Sequence, residues 1–348
     1  MDIVTQGIIG AACAQALAKP QHSRMASLAG LCAGLAPDAD AFINSASDPL
    51  LQLEYHRHFS HALAFIPIGA AIATLLLWPL LRRRLSFGAL YRYALIGYAT
   101  GGLLDACTSY GTHLFWPFSQ QPIALSIIAI ADPVFTLALL VPLAIGIKRA
   151  TPMRQGLVLA SAYLLFGFVQ HHRAEAIVYE IAAERGHAPE RLLVKPTVAN
   201  LVLWRALYIF GDSVRVDAIH LGEPFRLYPG ATTAIFNPER DISWAPADSR
   251  AASDARRFTA FAQGLTTRHP TRPDFIGDTR YAMLPNSIEP LWGIELDRSD
   301  PDRSARYLTN RSLAPAIRRQ FLSMLLRDDL AQGAAQAGNT VGSMPRTK

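Results

Sequence analysis

Residues 62–81, ALAFIPIGAAIATLLLWPLL, run for 20 positions without a charge. A helix of that length, rising ~1.5 Å per residue, covers a hydrocarbon core of roughly 30 Å. This stretch decides the fold class and predicts an α-helical integral membrane domain. Further along, residues 155–170 (QGLVLASAYLLFGFVQ) form a second, shorter uncharged run. Across residues 93–147 only Asp105 and Asp132 carry charge. Two passes fit there, at about 90–107 and at 123–147 or its shorter part from Pro133. Upstream, residues 3–18 and 25–37 are uncharged and rich in Ala and Gly, as a close-packed helical hairpin requires. Four to six membrane-embedded helices are expected.

The charges are unevenly shared. Of the 348 residues, 51% are hydrophobic and 17% charged, against about 25% charged in a soluble domain. Residues 1–172 hold 17 charged side chains and residues 173–348 hold 43. The reading is therefore a helical membrane domain over 1–172, an extramembrane α+β domain over 173–332, and a Gly-, Ala- and Ser-rich disordered tail over 333–348. In the second domain, helices are expected at 173–185, 247–264 and 313–331. Alternating apolar patches predict strands within 200–210, 213–221 and 281–296.

A net charge of +6 with no long basic tract predicts no nucleic-acid partner. The three cysteines, Cys13, Cys32 and Cys107, are too far apart for a CxxC pair and leave the redox compartment open. Asp2 makes the first residues acidic, unlike the basic start of a signal peptide. The loop cations fall in three groups: Lys19 with Arg24; Arg82, Arg83, Arg84 and Arg92; Lys148, Arg149 and Arg154. Placing all three on the cytoplasmic side sends residues 1–6, 38–61 and 106–122, and everything after about 171, to the outer face. The C-terminal domain would then be periplasmic.

Four clusters on that outer face carry chemistry. Pro37-Asp38-Ala39-Asp40 offers two carboxylates two residues apart. Tyr55-His56-Arg57-His58-Phe59-Ser60-His61 packs three imidazoles into six positions, and neutral imidazole is a good zinc ligand. Asp105 lies at or in the apolar layer with no nearby basic residue in sequence, a costly placement that marks a functional candidate. A hydrogen bond to Thr108 or Ser109 is its structural alternative. Asp132-Pro133 reads first as a helix start, with Asp as N-cap and Pro at the first turn. A ligand or proton-transfer role is open to Asp132 as well. Carboxylates and histidines converging from separate helices are what a divalent metal needs. There is no GxSxG, HExxH or P-loop motif, so serine-based and nucleotide-driven chemistry are unsupported.

These motifs, in this order, resemble the membrane-bound metal-dependent hydrolases, also described as LexA-regulated inner-membrane proteins. The resemblance runs from Met1-Asp2-Ile3-Val4-Thr5-Gln6 through Pro37-Asp38-Ala39-Asp40, His56-Arg57-x-x-Ser60-His61 and Leu103-Leu104-Asp105-x-x-Thr108-Ser109-Tyr110-Gly111-Thr112. It continues through Trp116-Pro117-Phe118-Ser119 and Asp132-Pro133 to Lys195-Pro196, Asn200 and Leu203-Trp204-Arg205, covering about residues 1–210. That family is regarded as distantly similar to zinc-dependent phospholipase C and P1-type nucleases.

The resemblance implies a bacterial inner membrane location and a divalent metal, zinc first. Its metal ligands would fall on Asp38, Asp40, His56, His61 and Asp105, with Asp40 either a ligand or orienting a histidine. Arg57 and Asp132 would serve in catalysis, Arg57 holding a phosphate or carboxylate. The substrate would be an ester or phosphoester, lipid-derived, at the bilayer surface. Two positions depart from the family pattern. Gly101 stands where the family commonly has a His four residues before the aspartate, and His58 stands where Gly is usual. His58 or His113 would have to supply the missing imidazole. The alternative reading is a catalytically degenerate membrane protein with an envelope-stress or partner-binding role. A metal- or proton-coupled transporter is disfavoured, because the charges cluster at one face rather than at the midplane. Oligomeric state is not readable.

Overall fold

The computed structural model describes residues 1–146, 150–311 and 314–328. Lys148 and Arg149, the end of the helix expected at 313–331, and the tail at 333–348 lie outside the described residues. The chain divides into two compact units. The first comprises residues 1–172 with 195–201, and the second residues 173–194 with 202–348.

The first unit is a helical bundle. Its helices are α1 (Ile3–Ala16), α2 (Ser23–Leu35), the short α3 (Leu51–Tyr55), α4 (Ile66–Leu81), α5 (Phe87–Ala106), α6 (Pro133–Ile145) and the part of α7 (Ala150–Glu184) up to His172. α1, α2 and α5 form its centre. They come close because glycine faces glycine. A Cβ on Gly30 would sit 2.3 Å from the Gly10 carbonyl oxygen, and one on Gly97 would sit 2.4 Å from that of Gly30. Backbone-to-backbone approach of this kind holds helices together where lipid supplies no hydrophobic drive. Two apolar helices flank this centre and leave large side chains uncovered. They include Ile72, Leu76 and Leu80 on α4 and Leu137, Val141 and Ile145 on α6, to which α7 adds Leu159, Leu165 and Val169. Such a band is costly in water and suited to acyl chains.

Among the described residues, two helices are long and apolar enough to cross a membrane, Leu63–Leu81 and Thr151–Glu184. Ile3–Ala16 and Pro133–Ile145 are apolar but shorter. Four to six full spans are therefore not supported. α1 and α2 have 14 and 13 residues, or about 20 Å each. α5 is long enough but carries Arg92 and Asp105. The helix expected separately at 173–185 is the continuation of α7.

The bundle has two chemically distinct ends. Leu81 and Leu85 at the close of α4 pack with Ala14 of α1, Ala26 of α2 and Ala89 of α5. At this end Lys19, Arg24, Arg82, Arg83, Arg84 and Arg154 are exposed. Gln15 donates to the Gly146 carbonyl here, and Arg154 to that of Ala16. The opposite end gathers the start of α1, the close of α2 and of α5, and the loop before α4.

The second unit holds two antiparallel four-stranded meanders. The first is β1 (Arg191–Pro196), β2 (Leu203–Phe210), β3 (Ser213–His220) and β4 (Arg226–Ala234). Between the sheets lie α8 (Pro238–Asp241) and α9 (Arg250–Phe261). The second sheet is β5 (Thr266–His269), β6 (Arg272–Asp278), β7 (Trp292–Glu295) and β8 (Arg306–Thr309), followed by α10 (Pro315–Leu326). In the β2–β3 hairpin Phe210 pairs with Ser213 around a Gly211 of positive φ. α10 lays Phe321, Met324 and Leu325 on Leu203, Ala218 and Tyr228 of the first sheet.

Arg205 of β2 is buried and donates to the carbonyls of Thr279 (2.7 Å), Pro285 (2.8 Å) and Ser287 (2.9 Å). It thereby ties the segment before β7 to the first sheet. Arg205→Met removes the donor and leaves those carbonyls dry. A loss of about 3–5 kcal/mol is expected, read as earlier thermal unfolding and faster proteolysis within residues 202–328 of the detergent-solubilised chain.

Candidate metal centre

The polar end of the bundle is built from four segments. A 3₁₀ turn, Ala36–Phe42, follows α2 and carries Asp38 and Asp40. The loop between α3 and α4 carries His56, Arg57 and His61, the last within a 3₁₀ turn, Phe59–His61. The last turn of α5 carries Asp105, and the start of α1 brings Gln6. Gly102 lets the loop reach α5, since a Cβ there would meet the His61 carbonyl oxygen at 2.2 Å. Tyr98 of α5 also donates to the Ser60 carbonyl, at 2.9 Å.

Asp40 organises the loop. Its Oδ1 lies 2.9 Å from His56 Nδ1. Its Oδ2 accepts from the Arg57 amide (2.9 Å) and the Ser60 hydroxyl (2.6 Å) and lies 3.1 Å from His61 Nδ1. Burial by itself would raise the Asp40 pKa. The hydrogen bonds from His56, His61 and Ser60 outweigh it and hold this carboxyl well below the usual carboxylate range. Arg57 sits at φ +61°, a conformation side chains rarely adopt, and its amide bond to Asp40 helps to hold it there.

His61 is the centre of the cluster. With Nδ1 turned to Asp40, its Nε2 lies 3.2 Å from Asp105 Oδ2 and 3.5 Å from Asp38 Oδ1. That nitrogen is buried and makes no hydrogen bond. Burial favours the neutral imidazole, but Asp105, Asp38 and Asp40 prevail and push the His61 pKa up to about 10.

Asp105 is buried and crowded by donors. Its Oδ1 contacts the Met1 amine and lies 3.2 Å from Arg57 Nη2, and its Oδ2 accepts from Gln6 Nε2 at 2.9 Å. Arg57 Nη1 donates to Thr108 Oγ1 (2.9 Å), and the guanidinium lies over the Tyr110 ring at 4.9 Å. The Thr108 hydroxyl donates to the Asp105 backbone carbonyl rather than to its carboxylate.

The five residues proposed as ligands thus come together, in two overlapping groups. Donor atoms of Asp38, His61 and Asp105 lie within 4.8 Å of one another, as do those of Asp38, Asp40 and His56. The first group fits a divalent cation. It offers one imidazole and two carboxylates around a buried nitrogen that has no other partner. In the second group Asp40 is already committed to the loop, which suits orientation of the histidines better than ligation.

The two residues proposed for catalysis fare differently. Arg57 belongs to the cluster, but both terminal nitrogens are engaged, which makes it a positioning residue for Asp105 rather than a free anion holder. Asp132 is the N-cap of α6. Its Oδ1 accepts from the Val134 and Phe135 amides at 3.1 Å, and its Oδ2 from the Tyr163 hydroxyl at 2.8 Å. It caps α6 and falls in neither metal group. His58 and His113 also fall in neither group. Sequence reasoning missed Gln6 and Tyr110 as contacts of the cluster. For Gln6 there was a usable signal: an amide on an otherwise apolar helix must bury against a partner.

The family model for the YdjM inner membrane protein matches residues 1–174. The chain belongs to the YdjM inner membrane protein family. No curated protein and no solved structure matches it. In this YdjM family member the whole polar cluster lies inside the matched region, and both antiparallel sheets lie beyond it. Membership carries an inner membrane identity and specifies no chemistry.

Proposed function

We propose that this chain is a multi-pass inner membrane hydrolase that uses a divalent metal, zinc first, to cleave an ester or phosphoester at the outer bilayer surface. The observation that carries the reading is the buried Nε2 of His61, which makes no hydrogen bond and lies between the carboxylates of Asp105 and Asp38. Asp38, His61 and Asp105 would hold the metal, with His56 beside them. A divalent cation there would polarise the substrate's carbonyl or phosphoryl oxygen and acidify a nearby water. The chain's own groups prepare that site. Asp40 fixes the His61 ring so that Nε2 faces the carboxylates. Arg57 and Gln6 fix the Asp105 carboxylate. Asp38 is the one partly open carboxylate, with 17% of its side chain accessible against none for Asp40 and Asp105, and so marks the side of approach.

A lipid-derived substrate is favoured by the surroundings. Phe42, on the same turn as Asp38, is 84% exposed, and Phe118, in the loop after α5, is 89% exposed. Exposed aromatics suit the headgroup layer. Outer-face placement is supported by the cations at the opposite end of the bundle. The short helices α1 and α2 and the charged α5 would be embedded as the interior of the bundle, with α4, α6 and α7 toward lipid. The C-terminal domain would then be periplasmic. A reporter active in only one compartment, fused after residue 195, tests this, and cytoplasmic activity would reverse it.

The crowding of Asp105 favours a second reading, in which the cluster is a closed ion network and the protein is catalytically degenerate. The carboxylates of Asp38, Asp40 and Asp105 face the Arg57 guanidinium and a protonated His61, contacts that need no metal. Metal content of the detergent-purified protein separates the two. Wild type is expected to hold an equivalent of zinc or manganese that is absent from His61→Ala and Asp38→Asn and present in Asp132→Asn. Hydrolysis of phospholipid or ester substrates should be lost in the same two variants. If wild type takes up no His61-dependent metal even with excess zinc at pH 8, the hydrolase reading is wrong.

A further inference from the structure

His58 and His113 are the two imidazoles of the polar end that the candidate metal centre does not use. They come from different segments. His58 sits in the loop before α4, and His113 follows α5, its amide donating to the Arg57 carbonyl at 3.0 Å. Their ring centroids are 4.7 Å apart at an interplanar angle of 49°. Both Nδ1 atoms are buried and make no hydrogen bond. Gln120 interacts with both rings, its side chain with His58 and its backbone with His113. Burial lowers the pKa of both rings, which favours the neutral imidazole. Tyr55 and Trp116 cover His58, with ring centroids at 5.7 and 5.8 Å.

Two buried ring nitrogens without a hydrogen-bond partner are a standing cost, and one cation would satisfy both. With a metal–nitrogen bond of about 2.0 Å the ion would lie about 3.1 Å from each ring centre. With both Nδ1 atoms turned to one ion, rings 4.7 Å apart would subtend about 100° at it. That is close to a tetrahedral angle and far from linear. It suits a borderline divalent ion that completes its shell with water, rather than a two-coordinate monovalent one.

We propose that His58 and His113 form a second metal site, bis-imidazole through Nδ1, for zinc or another borderline divalent ion. It is separate from the Asp38–His61–Asp105 group and does not depend on hydrolysis. Bound metal would pin the loop after α5 to the loop that carries His56 and His61.

Zinc titration of the detergent-purified full chain tests this, followed by calorimetry and by thermal stabilisation. Wild type is expected to bind one zinc that His58→Ala and His113→Ala both lose, with at least a tenfold drop in affinity in the conservative His113→Gln. His61→Ala must retain it. Melting in chelator shows whether each metal-free variant is folded. The expected result is variants that melt as wild type does without zinc and lose only the zinc-induced rise. Equal zinc stoichiometry and stabilisation in wild type and in folded His58→Ala and His113→Ala would overturn the proposal. Loss of the His61-dependent zinc alone would instead count against the hydrolase centre and leave this site standing.

Discussion

Gly30→Leu should yield no folded, monodisperse protein in detergent. The added Cβ would lie 2.3 Å from the Gly10 carbonyl oxygen and 2.5 Å from Ala14 Cβ, and real Cβ atoms do not approach that closely. No flexible side chain is available to move, because the obstacles are backbone and a methyl group on α1. The helix must shift instead, and it is packed on its other side too. A Cβ on Gly97 of α5 would meet the Gly30 carbonyl oxygen at 2.4 Å, so α1, α2 and α5 meet without spare room. Moving α2 outward would also displace the Asp38–Asp40 turn that follows it. Overpacking of a core costs about 1–3 kcal/mol and more where backbone must move, so the upper end or beyond is expected here. Gly88, near the start of α5, is the control, because a methyl group added there would have nothing within 4 Å. Gly88→Ala should be neutral or slightly stabilising through helix propensity. Size-exclusion profiles and melting curves of the two variants make the comparison. A Gly30→Leu protein that elutes and melts like wild type would mean that the three helices are not in contact there.

The same close packing bears on Gly101. A Cβ at that position would meet Pro37 Cγ at 3.0 Å and the Gly34 carbonyl oxygen at 3.5 Å. An imidazole placed at Gly101 would therefore press on the turn that carries Asp38. Gly101→His tests metal affinity only together with a displacement of Pro37, and Gly101→Ala is the variant that isolates the steric part.

What was legible in the sequence follows from the range of the interactions. Helix positions in the first unit were readable because uncharged runs and their ends are local signals. The runs at 3–18 and 25–37 correspond to α1 and α2, and Asp132-Pro133 marks the start of α6 by the capping it performs. Membrane crossing was overread, because lack of charge does not separate a lipid-facing helix from one buried among helices. α1 and α2 are uncharged because small side chains let backbones touch. In the second unit, 213–221 alternates and forms β3, whereas 281–296 yields only Trp292–Glu295. β1, β4, β5, β6 and β8 were not anticipated. Several are short or rich in Arg, Pro and Thr, and they are held by cross-strand pairing rather than by their own pattern. At the candidate site, residue types pointed to the cluster. Which carboxylate orients and which faces the open nitrogen was decided by contacts across 16 to 104 positions of chain, which spacing cannot reveal.

Metal affinity at the His61 site should rise about tenfold per pH unit between pH 6 and 8. In the metal-free protein three carboxylates hold the His61 pKa at about 10, against an ordinary 6.5. The imidazole is therefore protonated throughout that range, and a metal can take Nε2 only by expelling the proton. One proton released per metal bound gives the tenfold slope, or about a hundredfold over the two units. The sign for stability runs the other way. A group whose pKa is raised on folding stabilises fully below its unfolded value, so this contribution to the metal-free protein is present below about pH 6.5 and is lost as pH climbs through 10. Alkaline pH should thus loosen the metal-free cluster while it favours the metal-bound one. The His58–His113 pair differs, because burial lowers the pKa of both rings instead of raising it. Zinc calorimetry in two buffers of different ionisation enthalpy should therefore resolve two classes of site. One should release a proton and vanish in His61→Ala, and the other should release fewer and vanish in His113→Ala. A zinc affinity that is flat from pH 6 to 8 and releases no proton would show that His61 is not a ligand, and the cluster would then stand as a closed ion network.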